Sequence, residues 1–181
     1  MPKEFSLKFR RYSPWPLPLH RLIPGQSSAP VEYRSGSSRH EAQAQEQWLG
    51  PDLWVNQKQY LYGIDLYNQG FWWEAHEAWE GLWRQIAGDP MSRGFLQGLI
   101  KISAAYLKCM TGHWRGAAIL SLRGIELLKT NLIPKKKYMG VDLQTQIKHW
   151  ENHFAVVLRQ KDPSAIFLNY PYVPLYLKGQ N

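Results

Sequence analysis

Between Leu53 and Gln160 the chain is divided into successive segments of helical length by a few breakers: Gly70, Gly88-Asp89-Pro90, Gly112 and Pro134. Glycine supplies the left-handed turn that stops a helix, and proline cannot continue one. The segments between them are too long for ordinary strands, and no alternating apolar and polar run or hairpin dipeptide interrupts them. Leu53, Tyr60, Leu61, Ile64, Leu66 and Tyr67 support a first helix ending near Asn68. A second is expected from about Phe71 to Ile86, a third from Ser92 to Met110, and a fourth from His113 to Thr130. A fifth starts near Asp142, a good N-cap residue, and reaches about Gln160. Short connections between successive helices imply antiparallel neighbours, so the pattern predicts an all-α bundle of about five helices in antiparallel pairs.

The third helix is the most apolar of the set. Phe95, Leu99, Ile102, Tyr106 and Met110 share one side, Leu96, Ile100, Ser103 and Leu107 lie beside them, and only Gln97, Lys101 and Lys108 form a polar stripe. A helix apolar almost all round is buried among neighbours, which places helix three at the centre of the expected bundle. Residues 51–160 form the bundle domain. Residues 1–50 read as an extended arm, with Pro2, Pro14, Pro16, Pro18, Pro24, Pro30 and the run Ser35-Gly36-Ser37-Ser38. Trp15, Leu17, Leu19, Leu22 and Ile23 are too apolar for a plain linker, so part of the arm is expected to lie against the folded body. A short helix over about His40 to Trp48 fits ahead of Pro51. Residues 161–181 mix Pro163, Pro171 and Pro174 with Phe167, Leu168, Tyr170, Tyr172, Leu175, Tyr176 and Leu177, which reads as a strap packed on the bundle.

Composition narrows the functional classes. A 181-residue chain can bury a sizeable core as one domain, and its single cysteine, Cys109, permits neither an internal disulfide nor a multi-cysteine zinc cage. Met1 to Arg11 has no apolar stretch of signal-peptide type, and no apolar run reaches the roughly 20 residues of a membrane helix. A cytoplasmic, non-membrane protein is the expectation. The formal charge of +8 divides into +3 for residues 1–50, −1 for 51–110 and +6 for 111–181. This basic balance could draw an anionic partner, but the one dense run, Lys135-Lys136-Lys137, is short and follows Pro134 in an apparent loop, which argues only weakly for nucleic acid. A homo-oligomer is compatible with the sequence and not required by it.

Chemistry concentrates on helix two. With His76 at 0°, an arc from about 200° to 340° holds Phe71, Trp72, Ala75, Ala78, Trp79, Leu82, Trp83 and Ile86, the core face. Glu74, Glu77, Arg84 and Gln85 fall between about 80° and 180° and read as solvated. His76 and Glu80 occupy one stripe at the border, a turn apart, with Trp83 beside them, so an imidazole and a carboxylate can converge on one object next to apolar walls.

The stretch Asn68-Gln69-Gly70-Phe71-Trp72-Trp73-Glu74-Ala75-His76-Glu77-Ala78-Trp79-Glu80-Gly81-Leu82-Trp83-Arg84, followed by Leu96-Gln97-Gly98-Leu99-Ile100, resembles domain of unknown function family 309 of bacteria and archaea. The resemblance covers about Gln57 to Leu128 and implies a small helical bundle. Its signature of histidine, three residues, glutamate, two residues, then tryptophan or tyrosine is complete here in His76, Glu80 and Trp83. A metal-binding role suggested for that signature passes by resemblance to His76 and Glu80.

Two readings of this stripe stay open. In one, His76 and Glu80 are nitrogen and oxygen ligands of a divalent metal ion or border a small-ligand pocket, with Trp83, Glu77, Gln97 and Lys101 around it. In the other, Glu80 pairs with Lys101, His76 is a hydrogen-bonded border residue, and the protein is a non-catalytic scaffold for a protein or RNA partner. Neither reading names a reaction, and whether the chain is an enzyme is open. The second histidine of a His-Glu-x-x-His protease motif is missing, as are phosphate loops and nucleophile elbows. His149 and His153 are also a turn apart but have no carboxylate or cysteine partner in sequence; His113 reads as a cap or turn residue, and Cys109 as a small buried hydrophobe.

Overall fold

The computed structural model describes residues 9–23, 46–132, 136–162 and 174–178. After a 3-10 turn at Pro51–Asn56 come α1 (Lys58–Asn68), α2 (Trp72–Trp83), α3 (Pro90–Met110) and α4 (Trp114–Leu132), then β1 (Lys137–Tyr138), β2 (Val141–Asp142) and α5 (Leu143–Gln160). Successive helices pack on one another, so the chain is an all-α bundle. Gly70 takes a φ of 75° after α1 and the Asp142 side chain caps α5 by accepting from the Thr145 amide, both as expected, while α3 starts two residues before Ser92, capped by the Asp89 side chain, which accepts from the Ser92 amide. The first expected helix divides at Gln57, with the segment from Leu53 forming the 3-10 turn and the α-helix starting at Lys58.

Burial is deepest in α1 and not in α3. Every residue of α1 from Tyr60 to Asn68 is buried, whereas Gln97, Ile100, Lys101, Ala104 and Lys108 leave part of α3 facing water. The reason is that α1 is covered by segments without helical periodicity as well as by α2. On the α2 side Gly63 meets the Trp79 indole so closely that a Cβ there would stand 2.1 Å from Nε1. Gly98 of α3 and Gly124 of α4 allow a similar approach, each facing the other's carbonyl. On the opposite side lies the arm. The buried Asp65 carboxylate accepts from the amides of Tyr12 at 2.8 Å and Ser13 at 2.9 Å and pairs with Arg11 Nε at 3.0 Å. Tyr62 meets Trp15 edge to face, and its hydroxyl donates to the Pro16 carbonyl. The third cover is the chain end, where Asn68 exchanges two hydrogen bonds with the backbone of Leu175.

A hairpin also appears where a loop is expected after Pro134. Met139 and Gly140, both at positive φ, turn β1 antiparallel onto β2, and Val141 bridges to Leu177. Two-residue strands are too short to show alternation, which is why periodicity does not register them. The hairpin is tied inward by Tyr60, whose hydroxyl donates to the Met139 carbonyl at 2.8 Å, and by Tyr138, which shares a hydrogen bond with Ser92. Of the expected short helix at His40 to Trp48, residues 40–45 lie outside the described residues, and 46–48 are not helical. Ser35 to Ser38, Pro134, Lys135 and the aromatic stretch with Phe167, Leu168, Tyr170 and Tyr172 also lie outside them.

Asp65 is therefore the anchor of the arm. Asp65→Ala leaves the amides of Tyr12 and Ser13 without their acceptor and costs Arg11 its ion pair, though Arg11 keeps the Trp15 carbonyl, and the expected loss is about 2–3 kcal/mol. Urea unfolding of the variant checks this; a loss within error of zero would show that the arm contributes nothing to the stability of the bundle.

Candidate functional site

Helix α2 follows Gly70 directly and carries apolar residues at the spacing that buries one side. Trp72, Ala75, Ala78, Trp79 and Leu82 are buried against α1 and α3, and Trp72 stacks on Tyr106 with ring centroids 4.8 Å apart. His76 and Glu80 sit at the edge of this face, both about three-quarters covered, with Nε2 of the imidazole 3.3 Å from Oε2 of the carboxylate. Glu77 is exposed beside them. One ligand atom from each of His76, Glu77 and Glu80 can be chosen so that all three lie within 4.8 Å of one another.

The neighbours of this cluster fix its geometry. Trp73 lies parallel to the His76 ring, 5.8 Å away between centroids and inclined by 19°, which holds the plane of the imidazole. Nδ1 of His76 is buried and has no hydrogen-bond partner among the described residues. Glu80 divides its carboxylate: Oε2 faces His76, and Oε1 accepts from Arg84 at 2.8 Å. Trp83 is half-buried, its Nε1 also lacks a partner among the described residues, and the Arg93 guanidinium covers its ring at 4.1 Å from the centroid. Arg93 also donates to the carbonyls of Trp83 and Ile86, so it closes the C-terminal end of α2.

His76, Glu77 and Glu80 are brought together, with Trp83 a turn further on. Gln97 and Lys101 are not joined to them: no hydrogen bond or ion pair among the described residues links either one to His76 or Glu80. Close packing of α3 on α4 explains this, because the Cβ of Lys101 lies beside Gly124 of α4. The cation on Glu80 is Arg84, the residue that caps the C-terminal end of α2, four residues on, a spacing that sequence shows directly. Trp73 and Arg93 are contributors that the helical projection did not single out. Arg93 in particular belongs to the next helix and reaches Trp83 only because the Gly88-Asp89-Pro90 turn brings α3 back along α2.

Glu74 corrects the expected solvated flank. It is buried, 2 % exposed, because the arm crosses over it: the Leu22 amide donates to Oε1 at 2.9 Å, while Arg21 sits over the Phe71 ring and donates to the Gln69 carbonyl. Oε2 has no partner among the described residues. Burial pushes the carboxyl up from its ordinary 4.5 to about 7, against the smaller opposing effects of amide donors and Arg21. The other sequence candidates separate similarly. His149 is exposed while His153 is buried beside Tyr106, where burial pushes its pKa down to about 4, so the two do not form a shared site. Cys109 is buried, and its thiol is pushed up to about 12, as for an inert core residue. His113 shares a hydrogen bond with Thr111 in the turn before α4.

Fold and site together define a helical-bundle domain with a half-buried histidine and carboxylate stripe on its second helix. Residues 60–120 match the family described as Domain of unknown function (DUF309), the family that the motif resembles. That span holds His76, Glu77, Glu80 and Trp83, while the arm and chain end lie outside it. No curated protein and no solved structure matches the chain.

The raised Glu74 carboxyl sets a pH dependence. The folded chain keeps this proton more tightly than the unfolded one between pH 4.5 and 7, so the stabilisation is complete below 4.5 and is lost as pH rises through 7. The loss is on the order of 3 kcal/mol. Glu74→Gln, which stays neutral, is expected to flatten that part of the curve; urea midpoints of both proteins across the window check it, and an identical slope in the variant overturns the assignment.

Proposed function

We propose that α2 carries a binding site for a divalent cation, with His76, Glu77 and Glu80 as its protein ligands and water completing the coordination. The observation that carries this reading is the convergence of one imidazole nitrogen and two carboxylate oxygens within 4.8 Å at a half-buried edge. A mixed nitrogen and oxygen set suits zinc, manganese or nickel better than a hard all-oxygen cage. Trp73 holds the imidazole in plane, and so reduces the ordering that binding would require. The side chain of Arg84 has no bond among the described residues other than the one to Glu80, so a cation that displaces it breaks nothing else.

A second reading is favoured by that same Arg84 contact. In it, Glu80 is already satisfied by its ion pair with Arg84 and its contact with His76, the cluster is structural, and the protein is an interaction scaffold for a protein or RNA. Thermal unfolding with and without Zn²⁺, Mn²⁺ or Ni²⁺ separates the two. Free metal about 100-fold above its Kd stabilises the folded state by about 2.7 kcal/mol, a rise in Tm of about 5–10 °C for a chain of this size. Under the cation reading His76→Ala and Glu80→Gln keep their fold and lose the rise. Wild type that ignores every metal, with both variants simply melting earlier, leaves the scaffold reading.

A further inference from the structure

The inward face of α4, with Ala117, Ser121, Gly124, Ile125 and Leu128, packs on α3 and α5. Its outward face carries a different pattern. Ile119 is 42 % exposed and Leu122 59 % exposed, two large apolar side chains on one solvent stripe. Arg115 and Glu126 continue that stripe at either end, both exposed and neither in an ion pair among the described residues. The spacing 115, 119, 122, 126 alternates four, three and four residues, which is the seam spacing of a coiled coil.

The stripe is complementary to its own reverse. Turned end for end, Arg115 falls on Glu126 and Ile119 falls on Leu122. An antiparallel pair of identical helices crossing between residues 120 and 121 therefore sets apolar side chains together in the middle and opposite charges together at both ends. We propose that the outward face of α4 is the contact surface of a twofold homodimer, in which Ile119 packs on Leu122 of the partner subunit and Arg115 pairs with Glu126 of the partner subunit. A twofold interface uses the same patch on both copies, so each contact occurs twice. The occupant is a second copy of this chain because the charges match this helix reversed. Within this seam the two charged positions are of opposite sign and equally far from the centre, as self-pairing requires, while Arg123 is exposed on the flank and Lys129 is paired with Glu151.

One helix pair buries less than a standard interface, so the dimer is reversible and concentration-dependent, with a Kd in the micromolar range or above. Sedimentation equilibrium at low ionic strength, over a wide range of protein concentration, tests it. Wild type is expected to associate to a dimer and no further. Leu122→Asp is expected to be monomeric. Arg115→Glu and Glu126→Arg each create two like-charge contacts, and are expected to raise Kd about tenfold or more. The double variant R115E/E126R restores opposite charges in the reverse sense, and is expected to dimerise nearly as well as wild type. All four positions are exposed, and circular dichroism of each variant confirms the fold. A wild type that stays monomeric leaves this face to another protein or to solvent, and overturns the proposal. A dimer that Leu122→Asp leaves intact, or a double variant no better than the single ones, overturns it equally.

Discussion

Asp65 and Asn68 stand in a helix whose residues from Tyr60 onward are all out of water, and a buried carboxylate or amide left unpaired there would cost more than most single contacts return. The chain meets this requirement with backbone. Amides of Tyr12 and Ser13 close around Asp65, and the Leu175 amide and carbonyl close around Asn68. Gln57, at the start of the same helix, is treated likewise, accepting from Leu49 and donating to Glu46. The polar groups of α1 therefore position both the arm and the chain end. The helices supply the apolar body, and these few groups determine how the non-helical segments are laid over it.

That division also explains what the sequence could reveal. Gly70, Gly88-Asp89-Pro90, Gly112 and the cap Asp142 mark the helix ends with local chemistry, so helix number and order are legible without coordinates. The identity of the most buried helix is not, because the cover over α1 comes from segments with no periodic signal. No periodic pattern marks Asp65 and Asn68 as buried, and only the placing of Tyr12 and Leu175 on them does. The same cause hides Glu74. On a helical wheel it shares a flank with Glu77 and Arg84, and only the path of Leu22 separates it from them. For the site, i to i+4 spacing makes His76 and Glu80 legible, since both lie on one helix. The surroundings of Lys101 are less legible, because helix-to-helix rotation depends on Gly98 and Gly124, whose close approach sets the Lys101 Cβ beside α4.

Three glutamates on α2 show how far surroundings outweigh residue type. Glu74 is covered by the arm and holds its proton to near neutrality. Glu80, six residues on, has a histidine and an arginine as companions. Glu77 lies open to solvent next to that pair. Two carboxylates are therefore gathered at the border, where water and cations can reach them, and the carboxyl that burial raises is turned beneath the arm. This sorting suits the proposed cation site, because two carboxylates and an imidazole converge there without the full penalty of burying charge.

The two faces of α4 answer to different constraints. Gly124 and Ala117 let α3 approach closely, and that contact is complete within one chain. Nothing in the bundle calls for Ile119 and Leu122 on the outside. Single exposed apolar residues are ordinary on protein surfaces and need no cause. Two of them on one stripe, with an arginine and a glutamate at equal distances beyond, carry a register, and a register has meaning only relative to a second surface. That surface lies on a different helix from His76 and Glu80, so self-association and cation binding stand or fall separately. If both hold, each subunit keeps its own border site on α2, a helix that the proposed pairing of α4 does not use.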